Sequence, residues 1–218
     1  MNAQTQTRYF QLESRRVEVL IDQASNAKGL ALIAHPHPLY GGTNQNKVVQ
    51  TMARAFLEQG FDTWRPNFRG VGQSEGAYDE GRGETQDFLA LVKEAHHLYP
   101  DLASNTRRLA LGGFSFGSYV ASMAYQALGP MGINAETLVL VGPAASRFPM
   151  PAVPEHSIVI HGEDDEVVAE AVHFHEGQLH ERRIPEGPLG RHPARRVRQS
   201  GVPQGADRLR VDPDPTER

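Results

Sequence analysis

The stretch Leu109-Ala110-Leu111-Gly112-Gly113-Phe114-Ser115-Phe116-Gly117-Ser118-Tyr119-Val120 constrains the chain more than any other. A short apolar run ends in two glycines, a serine follows, and an amphipathic stretch begins at once. Gly113 to Gly117 fits the pattern G-x-S-x-G, in which a strand turns sharply into a helix with the serine at the bend. Glycines two residues before and two after the serine let the strand and helix backbones approach without side chains between them. The bend lifts the hydroxyl of Ser115 clear of the sheet. It also aims the N–H of Phe116, at the helix N-terminus, toward any negative charge that develops beside that hydroxyl.

The remaining elements alternate. Val17–Asp22 is expected to form an early strand and Ser25–Gly29 the turn after it. Leu30–Ala34 is continuously apolar, as a strand buried on both faces is. It runs into His35-Pro36-His37-Pro38-Leu39-Tyr40-Gly41-Gly42-Thr43, too rigid and glycine-rich for either helix or strand. Asn46–Gln59 carries Val48, Val49, Met52, Ala53, Phe56 and Leu57 at helical spacing, with Gly60 as its stop. Phe61–Arg65 is a strand, Glu84–Tyr99 a helix closed by Pro100, and Val120, Met123, Ala124, Ala127 and Leu128 the buried face of the helix after Ser115. Thr137–Gly142 and Ser157–Gly162 are two more apolar strands. Strands alternating with helices at this spacing imply a parallel sheet covered on both faces.

Bulk properties narrow the function. A net charge of −4 and 39% hydrophobic residues describe a globular chain with no bulk electrostatic case for nucleic acid. The absence of cysteine excludes disulfides, thiolate nucleophiles and zinc–thiolate sites. The polar start, Met1–Thr7, suggests neither a signal peptide nor a spanning helix, so a cytoplasmic location without membrane partners is expected. Residues 182–218 differ: nine arginines are mixed with five acids, six prolines and four glycines, without an aromatic residue. Such a segment buries too little apolar surface to offset its ordering entropy and is expected to be disordered. The interspersed acids argue against a nucleic-acid-binding tail. Two domains of description follow: a globular unit over 1–181 and a tail over 182–218.

Taken together, His35–Thr43 with Asn46-Lys47-Val48-Val49, Asn67-Phe68-Arg69-Gly70-Val71-Gly72-Gln73-Ser74, Gly113–Gly117 and His161-Gly162-Glu163-Asp164-Asp165-Glu166-Val167-Val168 resemble the α/β-hydrolase superfamily. More narrowly they resemble a group of small, cap-less bacterial serine hydrolases, over roughly residues 15–170 and in the right order. The resemblance implies an α/β fold with a mostly parallel, doubly wound sheet of the α/β-hydrolase type. No lid is expected, because only fourteen residues separate Gly142 from Ser157. It also implies a serine hydrolase acting on small-molecule acyl substrates, with Ser115 as nucleophile and no cofactor.

The triad order of this fold, serine, acid, histidine, places the acid after the next-but-one strand, at Asp165, which stands three residues after Gly162 as in the resembling group. Glu163, Asp164 and Glu166 are close alternatives. Pro36 and Pro38 lack an N–H, leaving His37 and Leu39 as the nearest backbone donors past the strand end. The resemblance selects His37, with Phe116, for the oxyanion hole; the His37 imidazole could instead line the pocket. His35 and His37 have no third ligand nearby at metal-like spacing, so no metal is expected. Arg69 is expected to organise its loop by hydrogen bonds.

The catalytic histidine implied by the resemblance is His173, within His173-Phe174-His175-Glu176-Gly177, with His175 and His180 as substitutes and His161 as a strand-end residue. His173 follows Asp165 by only eight residues, where the resembling fold has a further helix and strand. A helix of about 10 residues and a strand of about 5 do not fit there. Reach is sufficient, since eight residues extend to about 26 Å; what the spacing leaves out is the last helix and strand that would support the histidine. The spacing and the tail suggest an altered C-terminal part, and hence a second expectation: the fold retained with an impaired relay.

Overall fold

The structure, a computed structural model, describes residues 5–13, 15–104 and 106–161. The expected tail over 182–218 and the end of the expected globular unit, 162–181, lie outside the described residues. The element order is β1 (Gln6–Leu12), β2 (Arg15–Asp22), β3 (Gly29–Ala34), α1 (Lys47–Glu58), β4 (Phe61–Pro66), α2 (Arg82–Leu98), α3 (Pro100–Ala103), β5 (Arg108–Phe114), α4 (Phe116–Leu128), β6 (Thr137–Val141) and β7 (Ile158–Ile160). These strands form one sheet in the order β1-β2-β4-β3-β5-β6-β7. From β4 to β7 neighbours pair in parallel, while the β1–β2 hairpin joins antiparallel at one edge.

Period-two alternation distributes the core between two faces. On β3, Leu30, Leu32 and Ala34 point into a cluster with Phe88, Leu91 and Val92 of α2 and Val120, Ala121 and Ala124 of α4. Ala31 and Ile33 point the other way, onto Val49, Met52, Ala53 and Phe56 of α1. The doubly wound arrangement therefore holds, with β3 buried along its whole length. Register finishes the parallel strands at one level: Ala34 lies beside Gly113, and Phe114 beside Val141. The turns that leave β3, β5 and β6 consequently gather at a single edge, where a doubly wound sheet holds its ligands.

Two local expectations need correction. β1 was not expected, because its sequence is polar; as an edge strand of a hairpin it buries only Phe10 and Leu12 and needs no apolar alternation elsewhere. Pro100 closes α2 as expected, the helix ending at Leu98 with Tyr99 as its C-cap. The same proline opens the short α3 from the first helical position, where its missing N–H costs nothing. Leu98, placed on the apolar stripe of α2, is half-exposed at the helix end because the chain turns away at Tyr99. The loop after His35 also contains a single 3₁₀ turn, Pro38–Tyr40.

Candidate active site

Ser115 occupies the one residue between β5 and α4, with φ 54° and ψ −118°. An L-residue adopts positive φ only at a cost, roughly 1–3 kcal/mol in sparsely populated regions. The surroundings enforce it. A Cβ on Gly113 would meet the Gly117 carbonyl oxygen at 2.1 Å, and one on Gly117 would meet the carbonyl oxygens of Ala34 and His35 at 2.3 and 2.6 Å. Both glycines are thus required by close backbone approach. The Ser115 N–H donates to Val141 O (2.9 Å), and the buried Ser118 hydroxyl contacts Gly113 O (2.9 Å) and Val141 O (3.2 Å). The end of β6 thereby ties down both sides of the bend. The Ser115 side chain is half-buried, in neither a regular helix nor the packed core.

The turn after β3 is held by side chains instead. His35 is fully buried; its Nε2 accepts the Phe68 N–H (2.9 Å), which assigns the proton to Nδ1, 2.6 Å from Pro36 O. Burial drives the His35 pKa down to about 4, against a smaller opposing effect of the Pro36 carbonyl. This histidine is a neutral strut between two loops. Gly42 approaches so closely that a Cβ would lie 2.0 Å from Pro36 O. Asn44, also buried, donates its N–H to Asn67 Oδ1 (2.8 Å), and Asn46 caps α1 by accepting the Val48 N–H (2.9 Å).

These two turns bring His37 against Phe116, ring centroids 4.9 Å apart. Neither the His37 N–H nor the Phe116 N–H has an acceptor among the described residues, and Phe116 is the first residue of α4, whose leading amides have no intrahelical partner. The His37 imidazole accepts the Leu39 N–H at Nδ1 (3.2 Å), and its pKa is lowered, chiefly by burial and further by Arg147, against an opposing effect of Glu84. Its ring also lies 4.7 Å from Tyr40, 4.8 Å from Tyr78 and 6.0 Å from Phe148.

Arg69 organises its surroundings as expected, and its partners are on α2. It donates to both carboxylate oxygens of Asp87 (2.9 Å each) and to Gly83 O (2.8 Å). Glu84, fully buried, accepts the Asp79 and Gly81 N–H groups (2.9 and 2.8 Å), closing the loop that carries Tyr78. Neither acid was singled out from the sequence. Their spacing held the signal: Glu84 and Asp87 stand four and one residues before the buried Phe88, on the apolar face of α2.

The strand after next from Ser115 is β7, as the acid's expected position requires, and His161 follows its last residue, half-buried. Asp165 and His173 lie outside the described residues, as do Glu163, Asp164, Glu166, His175 and His180. Residues 143–156 form turns without helix or strand, so no lid stands among the described residues. No group of three potential metal ligands and no helix long and apolar enough to cross a membrane occurs among them either. A separate cleft of about 310 Å3, between Leu128, Ile133, Ala135 and Pro154, lies at the far end of α4 from Ser115.

Comparison with known proteins places this arrangement in a family. The model of the family described as "Serine aminopeptidase, S33" matches residues 26–157. Among solved structures, XC6422 of Xanthomonas campestris, an α/β serine hydrolase without a lid, is 32% identical, with 78% of this chain and 76% of that one covered and a TM-score of 0.68. An α/β serine hydrolase homologue from Coxiella burnetii is 34% identical over 76% of this chain and 77% of its own, with a TM-score of 0.65. An uncharacterized protein of Rickettsia prowazekii is 38% identical over 114 residues, and the match spans only about half of that relative's length (46%). The chain belongs to the serine aminopeptidase S33 family of α/β hydrolases, within its cap-less group.

Proposed function

We propose that the chain is a serine hydrolase that cleaves small carboxylic esters through an acyl-enzyme, with thioesters and amides as less favoured substrates. The observation that carries this reading is the conformation of Ser115, held at φ 54° on a one-residue bend between β5 and α4. Ser115 Oγ attacks the acyl carbon, its proton passing to His173, which Asp165 orients. The N–H groups of His37 and Phe116 receive the tetrahedral oxyanion; one such donor contributes about 2.7–4 kcal/mol. Collapse breaks the bond to the alcohol, which takes the proton from His173. Water, activated by the same histidine, then attacks the acyl-serine, and the carboxylic acid departs. Support for Asp165 and His173 comes from the sequence alone. Support for the two amides is their lack of an acceptor among the described residues and the ring contact that sets their residues side by side.

The eight-residue spacing of Asp165 and His173 favours a second reading, a hydrolase fold whose relay is impaired. A fluorophosphonate probe and p-nitrophenyl acetate turnover separate the two. Labelling and turnover that both vanish in Ser115→Ala, with turnover also lost in His173→Ala, are the expected result. Labelling without turnover would favour the impaired relay, and neither would favour an inert scaffold.

A further inference from the structure

Aromatic rings from four separate segments converge around Phe116. His37 and Tyr40 come from the β3–α1 turn, Tyr78 from the loop before α2, Tyr119 from α4 and Phe148 from the β6–β7 connection. Besides the His37 contacts already given, Phe116 lies 5.0 Å from Phe148 and 5.8 Å from Tyr78, and Tyr119 stacks on Phe148 at 5.2 Å with 27° between planes. Phe116 is fully buried and forms the floor. His37, Tyr78, Tyr119 and Phe148 are half-buried, and Tyr40 is 76% exposed, so the wall still presents ring surface outward. The wall is held in place: a Cβ on Gly81 would meet the Tyr119 ring at 2.5 Å, and Glu84 fastens the loop bearing Tyr78.

His37 supplies both an N–H without an acceptor among the described residues and a half-buried ring, and Phe116 supplies a second such N–H while its buried ring backs the wall. The His37 ring, in contact with Tyr40, Tyr78, Phe116 and Phe148, makes the residue that carries one of those amides a member of the aromatic cluster. We propose that the wall of His37, Tyr78, Tyr119 and Phe148, backed by the buried Phe116, is a subsite for an aryl group, and that the preferred substrates are aryl-bearing esters. This rests on the reading of Ser115 as the acyl acceptor. The physical ground is that tilted and offset ring pairs at 4.5–7 Å gain energy beyond the area they bury, which a saturated ring of similar size does not. A neutral His37, with Nδ1 occupied by the Leu39 N–H, leaves Nε2 as the protonated edge of that wall.

Matched esters test the subsite and locate its source. Ethyl phenylacetate against ethyl cyclohexylacetate reads the acyl side, and benzyl acetate against cyclohexylmethyl acetate reads the alcohol side. In at least one pair the aryl ester is expected to have the higher kcat/KM, by about tenfold. Phe148→Leu and Tyr119→Leu are expected to bring that ratio toward one; as a ratio within each variant, it is insensitive to loss of folded protein. Equal rates in both pairs, or an aryl preference that survives both substitutions, would overturn the subsite. If the fluorophosphonate leaves Ser115 unlabelled, or labels it without ester turnover, the hydrolase reading fails separately. The wall is then read by binding of phenylacetamide against cyclohexylacetamide in ligand-observed NMR. Tighter binding of the aryl amide supports the subsite, and equal or absent binding overturns it.

Discussion

Between β5 and α4 the chain changes direction in one residue, whereas between β3 and α1 it takes the twelve residues 35–46. The two turns bring the rings of His37 and Phe116 together, centroids 4.9 Å apart, and they are stabilised in different ways. The short one is backbone against backbone: two glycines without room for a Cβ, a strained serine between them, and a carbonyl from β6 bonded to both sides. The long one relies on side chains, with His35 bridging to Phe68 and Asn44 to Asn67. They also touch, since Gly117 packs on the carbonyls of Ala34 and His35. Direct backbone packing fixes a position tightly but tolerates no added atom. A side-chain strut permits a longer loop and introduces a titratable group into the interior.

The largest test of that contrast is Gly117→Ala. Its methyl group would lie 2.3 Å from a backbone oxygen that has no room to retreat, so a destabilisation of at least about 3 kcal/mol is expected in urea unfolding. A loss below 1 kcal/mol would show that the turns are not in obligatory contact.

The second test concerns the strut. The folded-state pKa of His35, about 4, lies below its ordinary 6.5, so the folded chain binds fewer protons than the unfolded chain between those values. Stability from keeping His35 neutral is complete above pH 6.5 and is lost as the pH falls toward 4, by up to about 3 kcal/mol. His35→Gln, which cannot titrate, should flatten that part of the stability–pH curve relative to wild type. Superimposable curves would remove His35 from its role. The smallest effect is expected for Ser118→Ala, which removes one hydroxyl from the short turn at about 1 kcal/mol, leaving the Ser115 N–H bond to Val141 in place.

The same contrast explains what could be read from the sequence. Gly113, Ser115 and Gly117 announce their geometry because a backbone that forbids a Cβ leaves glycine at fixed offsets. Asn46 as a cap and the unbroken apolar run of β3 are equally local signals. His35 gave none of its role away, since its partner is the N–H of Phe68, thirty-three residues distant. Asp87 was hidden for a related reason: a buried acid becomes intelligible only once Arg69 is seen beside it. β1 escaped because hairpin pairing, not burial, stabilises it. The aromatic wall was invisible as a unit because its members come from four segments. Asp165 rests on the order of the strands and its offset from Gly162, and His173 on the resemblance alone, both in a stretch outside the described residues.

The torsion angles at Ser115 carry one last consequence. Glycine would occupy that corner without penalty, so Ser115→Gly should melt higher by roughly 2–4 °C, equivalent to 1 kcal/mol, while losing fluorophosphonate labelling. On the role proposed for Ser115, heat resistance and reactivity are therefore in opposition at this position, and a laboratory screen that rewarded survival at high temperature alone would drift toward chains unable to react.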